Sequence, residues 1–134
     1  MLQKLNTRRG GFTLVEIMIV VAIIALLAAI AVPNFLRARK RSQATRVLED
    51  LRMIDSAIDQ YAIETNKTTG ATVGWDDVKA YLKTGSALYN SGGNDLFGNP
   101  FTAPFAVDTL PTVPSTTKTN LSDVAPPEFW SPFQ

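Results

Sequence analysis

The sequence lacks two residue types that carry much of protein chemistry. It contains no cysteine, which excludes disulfide bridges and thiolate metal sites. It contains no histidine either, so the commonest general base and metal ligand is missing. The acids that follow Asp95 are too widely spaced to suggest a metal-binding loop. We therefore predict that the chain is not an enzyme and holds no metal ion or cofactor.

A third absence is local, because no residue from Ile17 to Leu36 carries a charge. At about 1.5 Å per residue, a helix over residues 12–32 would extend about 32 Å, close to the thickness of a bilayer's hydrocarbon core. A signal peptide would instead need a small-residue cleavage site before a polar mature start. A buried helix that is apolar on every face would need a larger core than 134 residues can build. The run therefore predicts a membrane-spanning helix.

Charge is unevenly distributed, although the formal net charge is only +1. All arginines precede residue 53, whereas residues 66–134 hold four lysines and six acids. Basic residues flank the apolar run on both sides, so the positive-inside rule leaves the orientation open. The cluster after the run favours a juxtamembrane anchor over nucleic-acid binding. Its members are Arg37, Arg39, Lys40 and Arg41.

The apolar run leads into a second helical pattern. Pro33 lies between the two patterns, and we expect a kink there because proline lacks an N–H group and clashes with the carbonyl group of Ala29. Beyond it, apolar residues recur every three or four positions, which predicts an amphipathic stripe. We predict one helix from about Phe12 to Thr65. The stripe consists of Ala44, Val47, Leu48, Leu51, Ile54, Ile58, Tyr61 and Ala62.

The rest of the chain predicts a small head that covers this stripe. Residues 75–82 have the pattern of a short helix with acids in its first turn. Extended segments are expected at Phe101–Val107 and Thr109–Val113, confined to edges or loops by their prolines. The tail is expected to be irregular, with Phe129, Trp130 and Phe133 packing back. The predicted fold class is α+β, with a long N-terminal helix packed on a head of a short helix and a few short antiparallel strands.

The stretch from Gly11 to Glu16 (Gly-Phe-Thr-Leu-Val-Glu) resembles the N-terminal processing segment of type IV pilins and type II secretion pseudopilins. The resemblance implies that a prepilin peptidase cuts after Gly11 and that Phe12 is then N-methylated. It divides the chain into a cleaved leader at 1–11, a transmembrane and filament-core segment at 12–36, and a soluble head at 37–134. It also implies that the leader is cytoplasmic and the head lies outside.

The same resemblance gives roles to Glu16 and Pro33. Glu16 matches the acid that meets the Phe12 amine of a neighbouring subunit during assembly, and Pro33 matches the proline within the helix. A carboxylate in hydrocarbon costs a few kcal/mol, so Glu16 needs a partner or a function. Thr13 and the Phe12 amine of the same chain remain alternative partners. An acid at the headgroup boundary without an assembly role also remains open.

A second, shorter resemblance lies in the head. The stretch from Asp95 to Phe101 (Asp-Leu-Phe-Gly-Asn-Pro-Phe) resembles that of type II secretion major pseudopilins. The acid-rich calcium loop of those proteins is absent, because only Asp108, Asp123 and Glu128 follow Asp95. The disulfide-bounded loop of many major pilins is absent as well. Pilus and pseudopilus therefore both stay open, and the Gly-Asn-Pro stretch favours the latter.

These observations predict a structural subunit that polymerises through its N-terminal helix. Its partners would be copies of itself or related pilins, the prepilin peptidase and methyltransferase, an inner-membrane assembly platform, and membrane lipid before assembly. It would be held in the bacterial inner membrane and then enter a periplasmic pseudopilus or a surface pilus. The alternative is a single-span membrane-anchored binding protein that does not polymerise.

Overall fold

The computed structural model describes residues 10–134. Secondary structure begins with a long helix α1 (Leu14–Thr65), followed by β1 (Thr72–Val73), α2 (Trp75–Lys79) and α3 (Ala87–Ser91). The remaining elements are β2 (Phe105–Ala106), α4 (Ser115–Asn120) and a 3₁₀ turn (Pro127–Trp130). The α+β class with a long N-terminal helix is confirmed. The leader predicted at 1–11 lies, up to residue 9, outside the described residues.

The chain forms two compact units, of which the first ends at Leu36 and the second is Arg37–Gln134. In the first unit, α1 is helical from Leu14 and continues through Pro33. No residue from 10 to 36 is buried. The kink expected at Pro33 stays a prediction.

The second unit has a core built on the predicted stripe of α1. Tyr61 of that stripe is partly buried, and every other member is buried along with Ala57. The opposite side of this core comes from the loops and the tail, because Trp130 is fully buried and Phe133 nearly so, with Phe129 partly buried beside them. The predicted packing of these three aromatic residues is confirmed.

The sheet is smaller than predicted. Two residues of β1 pair antiparallel with two of β2, in the register Thr72 to Ala106 and Val73 to Phe105. The extended segment expected at Phe101–Val107 forms a strand only at Phe105–Ala106. The segment expected at Thr109–Val113 is a loop, one of the two alternatives that its proline left open. Pro111 breaks that segment because it has no N–H group to donate. The Val113 N–H donates instead to the Phe133 carbonyl group at 3.1 Å, so the segment binds the tail as a loop.

Two residues with positive φ angles shape the loops that follow α1 and α3. Asn66 ends α1 with a positive φ of 51°, a conformation that asparagine tolerates better than most residues. Further along, Gly93 has a φ of 92°, and a Cβ atom there would lie 2.9 Å from the Trp75 ring. A glycine is therefore required where the loop after α3 crosses the α2 tryptophan.

Candidate functional site

The first turn of α1 is closed by a reciprocal pair of hydrogen bonds. The Glu16 N–H donates to the Thr13 hydroxyl oxygen at 3.2 Å, and the Thr13 N–H donates to Glu16 Oε2 at 3.3 Å. This is a capping box, in which a threonine before the helix and a glutamate three residues later satisfy each other's free N–H groups. Thr13 is thus a partner of Glu16, one of the alternatives left open by the sequence.

The capping box still leaves part of the Glu16 carboxylate available. Its hydrogen bond with the Thr13 N–H uses Oε2, whereas an ionised carboxylate has two oxygens and about four acceptor sites. The side chain also lies at the positive end of the helix dipole, which favours a negative charge. The side chain is exposed, so a further donor from another molecule can reach it.

The predicted cleavage position precedes this capped turn. Gly11 and Phe12 lie outside the helix, which begins at Leu14. Both are exposed, and 85% of the Phe12 surface is accessible. No heavy atom lies within 4 Å of a Cβ built on Gly10 or Gly11. Among residues 10–134, no other part of the chain therefore blocks the access of another protein to the peptide bond between Gly11 and Phe12.

The helix after Glu16 presents an apolar surface that the chain does not cover. Among residues 10–134, α1 is the one helix that is long and apolar enough to cross a membrane, and its most apolar window is not buried. Half or more of the side-chain surface of residues such as Met18, Ile24 and Leu26 is accessible. Such a surface exceeds what a water-soluble monomer normally exposes. It requires lipid or other protein.

A second polar cluster lies inside the head, where Asp95 is almost fully buried. Its Oδ1 accepts hydrogen bonds from the N–H groups of Phe97 and Asn99, both at 2.9 Å. Its Oδ2 accepts one from the hydroxyl group of buried Thr117, whose oxygen in turn accepts the Asn99 amide at 2.8 Å. Asp95 thus closes its own turn and links that turn to α4. Within residues 10–134, no cluster of three or more metal-ligating acids, histidines or cysteines occurs.

Comparison with known proteins agrees with the N-terminal site. Residues 6–32 match the family described as "Prokaryotic N-terminal methylation motif". Among curated proteins, a type IV major fimbrial protein FimA of Dichelobacter nodosus is 38% identical over 99 residues, which are 74% of this chain and 57% of the relative. The type II secretion system core protein G of Aeromonas hydrophila is 28% identical over 102 residues, which are 70% of this chain and 71% of the relative.

The chain is thus similar to type IV pilins and to type II secretion pseudopilins, both in the N-terminal motif and over about three quarters of its length. A third relative, the type IV major pilin PilA of Myxococcus xanthus, is 42% identical over 64 residues, which are 48% of this chain and 29% of the relative. The chain spans little more than half the length of the first FimA relative. None of these names denotes an enzyme. No solved structure gave a significant match.

The segment that matches the family model includes the capped first turn of α1. The motif covers Gly11, Phe12 and Glu16 and ends at Val32, one residue before Pro33. The structure brings Glu16 and Thr13 together and leaves Phe12 exposed beside them. Sequence reasoning named Thr13 as a partner but missed the capping box, although threonine followed three residues later by glutamate is its known pattern. It also missed Thr117, which lies 22 residues from Asp95 and gives no local signal.

Proposed function

We propose that the chain is a structural subunit of a type IV pilus or a type II secretion pseudopilus. It is made as a precursor, cut after Gly11, N-methylated at Phe12 and polymerised into a helical filament through α1. The observation that carries this proposal is the uncovered apolar surface of α1, which begins at a capped glutamate within a matched N-terminal methylation motif. Lipid covers this surface before assembly, and neighbouring subunits cover it afterwards.

Processing requires an accessible bond, and exposure of Gly11 and Phe12 supports it. The peptidase and methyltransferase act from the cytoplasmic side, so the leader lies inside and the head lies outside the inner membrane. An inner-membrane platform then extracts the subunit into a periplasmic pseudopilus or a surface pilus. Pro33 contributes by weakening the helix ladder at Ala29, which lets α1 adjust its packing in the filament.

Assembly uses the part of Glu16 that the cap leaves available. Cleavage after Gly11 creates a positively charged amine on Phe12, four residues before the carboxylate. The Phe12 amine of one subunit meets Glu16 of its neighbour, so two charges that would each be costly in hydrocarbon neutralise each other. Because the Thr13 N–H occupies only one acceptor site on Oε2, the cap and the contact with the amine can exist together.

Two substitutions separate the charge of Glu16 from its capping role. Glu16→Gln removes the charge and keeps a side chain that can complete a capping box. Thr13→Ala keeps the charge and removes the threonine half of the cap, at a cost of about 1 kcal/mol to the helix. Both variants should be cleaved and methylated at Phe12 when their N-termini are measured by mass spectrometry. Filament recovered by shearing should fall about tenfold or more for Glu16→Gln and remain near wild type for Thr13→Ala.

The opposite results are equally informative. Wild-type filament from Glu16→Gln would remove the docking role of the charge. Loss of filament from both variants would assign the effect to the helix cap. An intact leader on the wild-type protein in its host would remove the filament proposal and leave the single-span binding protein that does not polymerise.

A further inference from the structure

The head-side part of α1 carries two pairs of like charges at the same spacing. Arg37 and Arg41 are four residues apart, and so are Asp55 and Asp59. Side chains at this spacing are neighbours on a helix, and like charges there destabilise it. The pKa of Asp55 is raised by burial and further by the neighbouring Asp59 carboxylate. A single copy of the chain therefore holds one basic and one acidic repulsive pair.

The two pairs are in register with each other. Asp55 follows Arg37 by 18 residues and Asp59 follows Arg41 by the same 18. An interval of 18 residues is about five helical turns, so paired positions lie on the same side of α1, about 27 Å apart along it. A third pair, Arg46 and Glu64, has the same interval but lies on the opposite side of α1, and the Glu64 carboxylate already accepts the Tyr81 hydroxyl at 2.6 Å. On one side of α1, the spacing thus relates Arg37 and Arg41 to Asp55 and Asp59.

These charges cannot neutralise each other within one copy, because the distance along the helix is too great. Arg37, Arg41 and Asp59 are exposed, and Asp55 is half-buried. In the part of the chain that the structure describes, the one salt bridge joins Lys40 to Asp123. Arg37 is near Asp123 as well and contributes to its lowered pKa. Asp55 and Asp59 have no cation within ion-pair distance among residues 10–134.

The core stripe limits where a partner can bind. Buried residues such as Leu51 and Ile54 occupy one side of α1, and the remaining side is exposed at Ser56, Asp59 and Gln60. Subunits of a helical filament are related by rotation about its axis and by translation along it. When the exposed side of each α1 points toward the filament axis, the α1 helices of neighbouring subunits pack against one another. They are then offset along that axis.

We propose that each α1 helix in the filament packs parallel to a second neighbour, distinct from the one whose Phe12 amine meets Glu16, with a stagger of 18 residues that places Arg37 and Arg41 of one copy level with Asp55 and Asp59 of the other. This inference rests on the filament function proposed above. A second copy of the chain is the occupant that accounts for both sets of charges. Anionic lipid headgroups would account for the basic residues alone and leave the acidic pair without a cation.

Charge reversal with rescue tests the pairing in full-length protein expressed with its assembly system. Arg37→Glu with Arg41→Glu, and separately Asp55→Arg with Asp59→Arg, should each lower sheared filament about tenfold or more, because like charges then lie level. The fourfold variant restores opposite charges and should recover most of the filament. Lys118→Glu with Glu128→Lys reverses two exposed or half-buried charges elsewhere and serves as the matched control. Immunoblots of processed subunit in the membrane show whether each variant folds and accumulates.

Cross-linking tests the register without altering any of these charges, because the chain has no cysteine of its own. Ala38 and Ser56 are both exposed and 18 residues apart. The variant with Ala38→Cys and Ser56→Cys should give a ladder of cross-linked oligomers in filaments treated with a short bismaleimide. The variant with Ala38→Cys and Gln60→Cys shifts one site by about 6 Å and should give a much weaker ladder.

The outcomes distinguish this proposal from the filament function. Absence of filament from the wild-type protein would overturn both. Wild-type filament that survives reversal of either charge pair, or that is lost without rescue in the fourfold variant, would overturn the stagger alone. The stagger would also be overturned if Ala38→Cys with Gln60→Cys gave as many cross-linked oligomers as Ala38→Cys with Ser56→Cys, or more. Loss of membrane-held subunit on reversal of the basic pair alone would favour lipid contact instead.

Discussion

The two halves of α1 differ in what covers their apolar residues. From Leu14 to Leu36 no residue is buried, whereas the half that follows buries a stripe from Ala44 to Ala62 against the head. The first half is apolar on all sides and the second on one side. A one-sided stripe can be covered by about 70 further residues of the same chain, but an all-round apolar helix cannot. The pattern therefore separates the half that stabilises the fold from the half whose apolar surface stays uncovered by the described part of the chain.

The largest expected effect of this difference comes from matched leucine truncations. Leu51 is fully buried in the head, and Leu26 is 65% exposed in the first half. Leu51→Ala should lower the free energy of unfolding of the head by about 2–5 kcal/mol, because it removes buried methyl groups and leaves a cavity. Leu26→Ala should change it by less than about 0.5 kcal/mol. Thermal unfolding of the full chain in detergent, followed by circular dichroism at a tryptophan band, measures both.

A substantial loss of head stability from Leu26→Ala would show that the first half contributes to the fold of the head. That result would break the division between the two halves. Wild-type stability of Leu51→Ala would contradict the same division, because it would show that the buried stripe does not stabilise the head. Because both variants make the same chemical change on the same helix, differences in helix propensity cancel.

Much of this division follows from sequence, because it depends on long periodic patterns. A stripe repeated over five turns identifies its buried members, and an uncharged run of twenty residues identifies the exposed half. The short elements are different. Two-residue strands such as Thr72–Val73 have no period, and α3 and α4 span only five and six residues. Their positions depend on contacts such as that of Thr117 with Asp95, which local sequence does not contain.

The two halves of α1 each contain a carboxylate, and the two carboxylates differ in hydrogen bonding and burial. Glu16 in the first half is held by Thr13, whereas no side-chain hydrogen bond reaches Asp50 in the second half among residues 10–134. Asp50 is only 7% exposed. Burial raises its pKa above the usual value; Arg46 opposes that shift, and the Glu49 and Asp95 charges add to it. Folding therefore makes the Asp50 carboxylate easier to protonate than it is in the unfolded chain.

This predicts a pH dependence of head stability with a definite sign. A carboxyl group whose pKa is raised by folding contributes stability that is fully present below its unfolded pKa, near 3.8, and is lost as the pH rises through the folded pKa. Asp50→Asn removes the buried charge and should raise the free energy of unfolding at pH 7 by on the order of 1 kcal/mol. It should also flatten the decline between pH 4 and pH 7 in a series of thermal unfolding curves.

Glu49→Gln is the matched control, since Glu49 is adjacent in sequence but exposed. It removes a nearby negative charge without removing a buried one, so its effect should be smaller. A destabilised Asp50→Asn protein at neutral pH would show that the carboxylate makes a favourable contact in the folded head. Asp50 would then resemble Glu16 in having a favourable partner for its charge.

The smallest expected effect lies just after the boundary between the halves, where Lys40 donates to Asp123 at 2.9 Å. This hydrogen bond lowers the pKa of Asp123, with a further contribution from the charges of Lys40 and Arg37. The contribution to stability is present above the ordinary carboxyl pKa and is lost as the pH falls through the lowered one. Both side chains are about half exposed, so solvent and salt screen the pair. Asp123→Asn should shift the unfolding temperature at pH 7 by less than about 1 °C. A shift of several degrees that disappears in high salt would instead mean that this ion pair, rather than the apolar stripe, fastens the tail to α1.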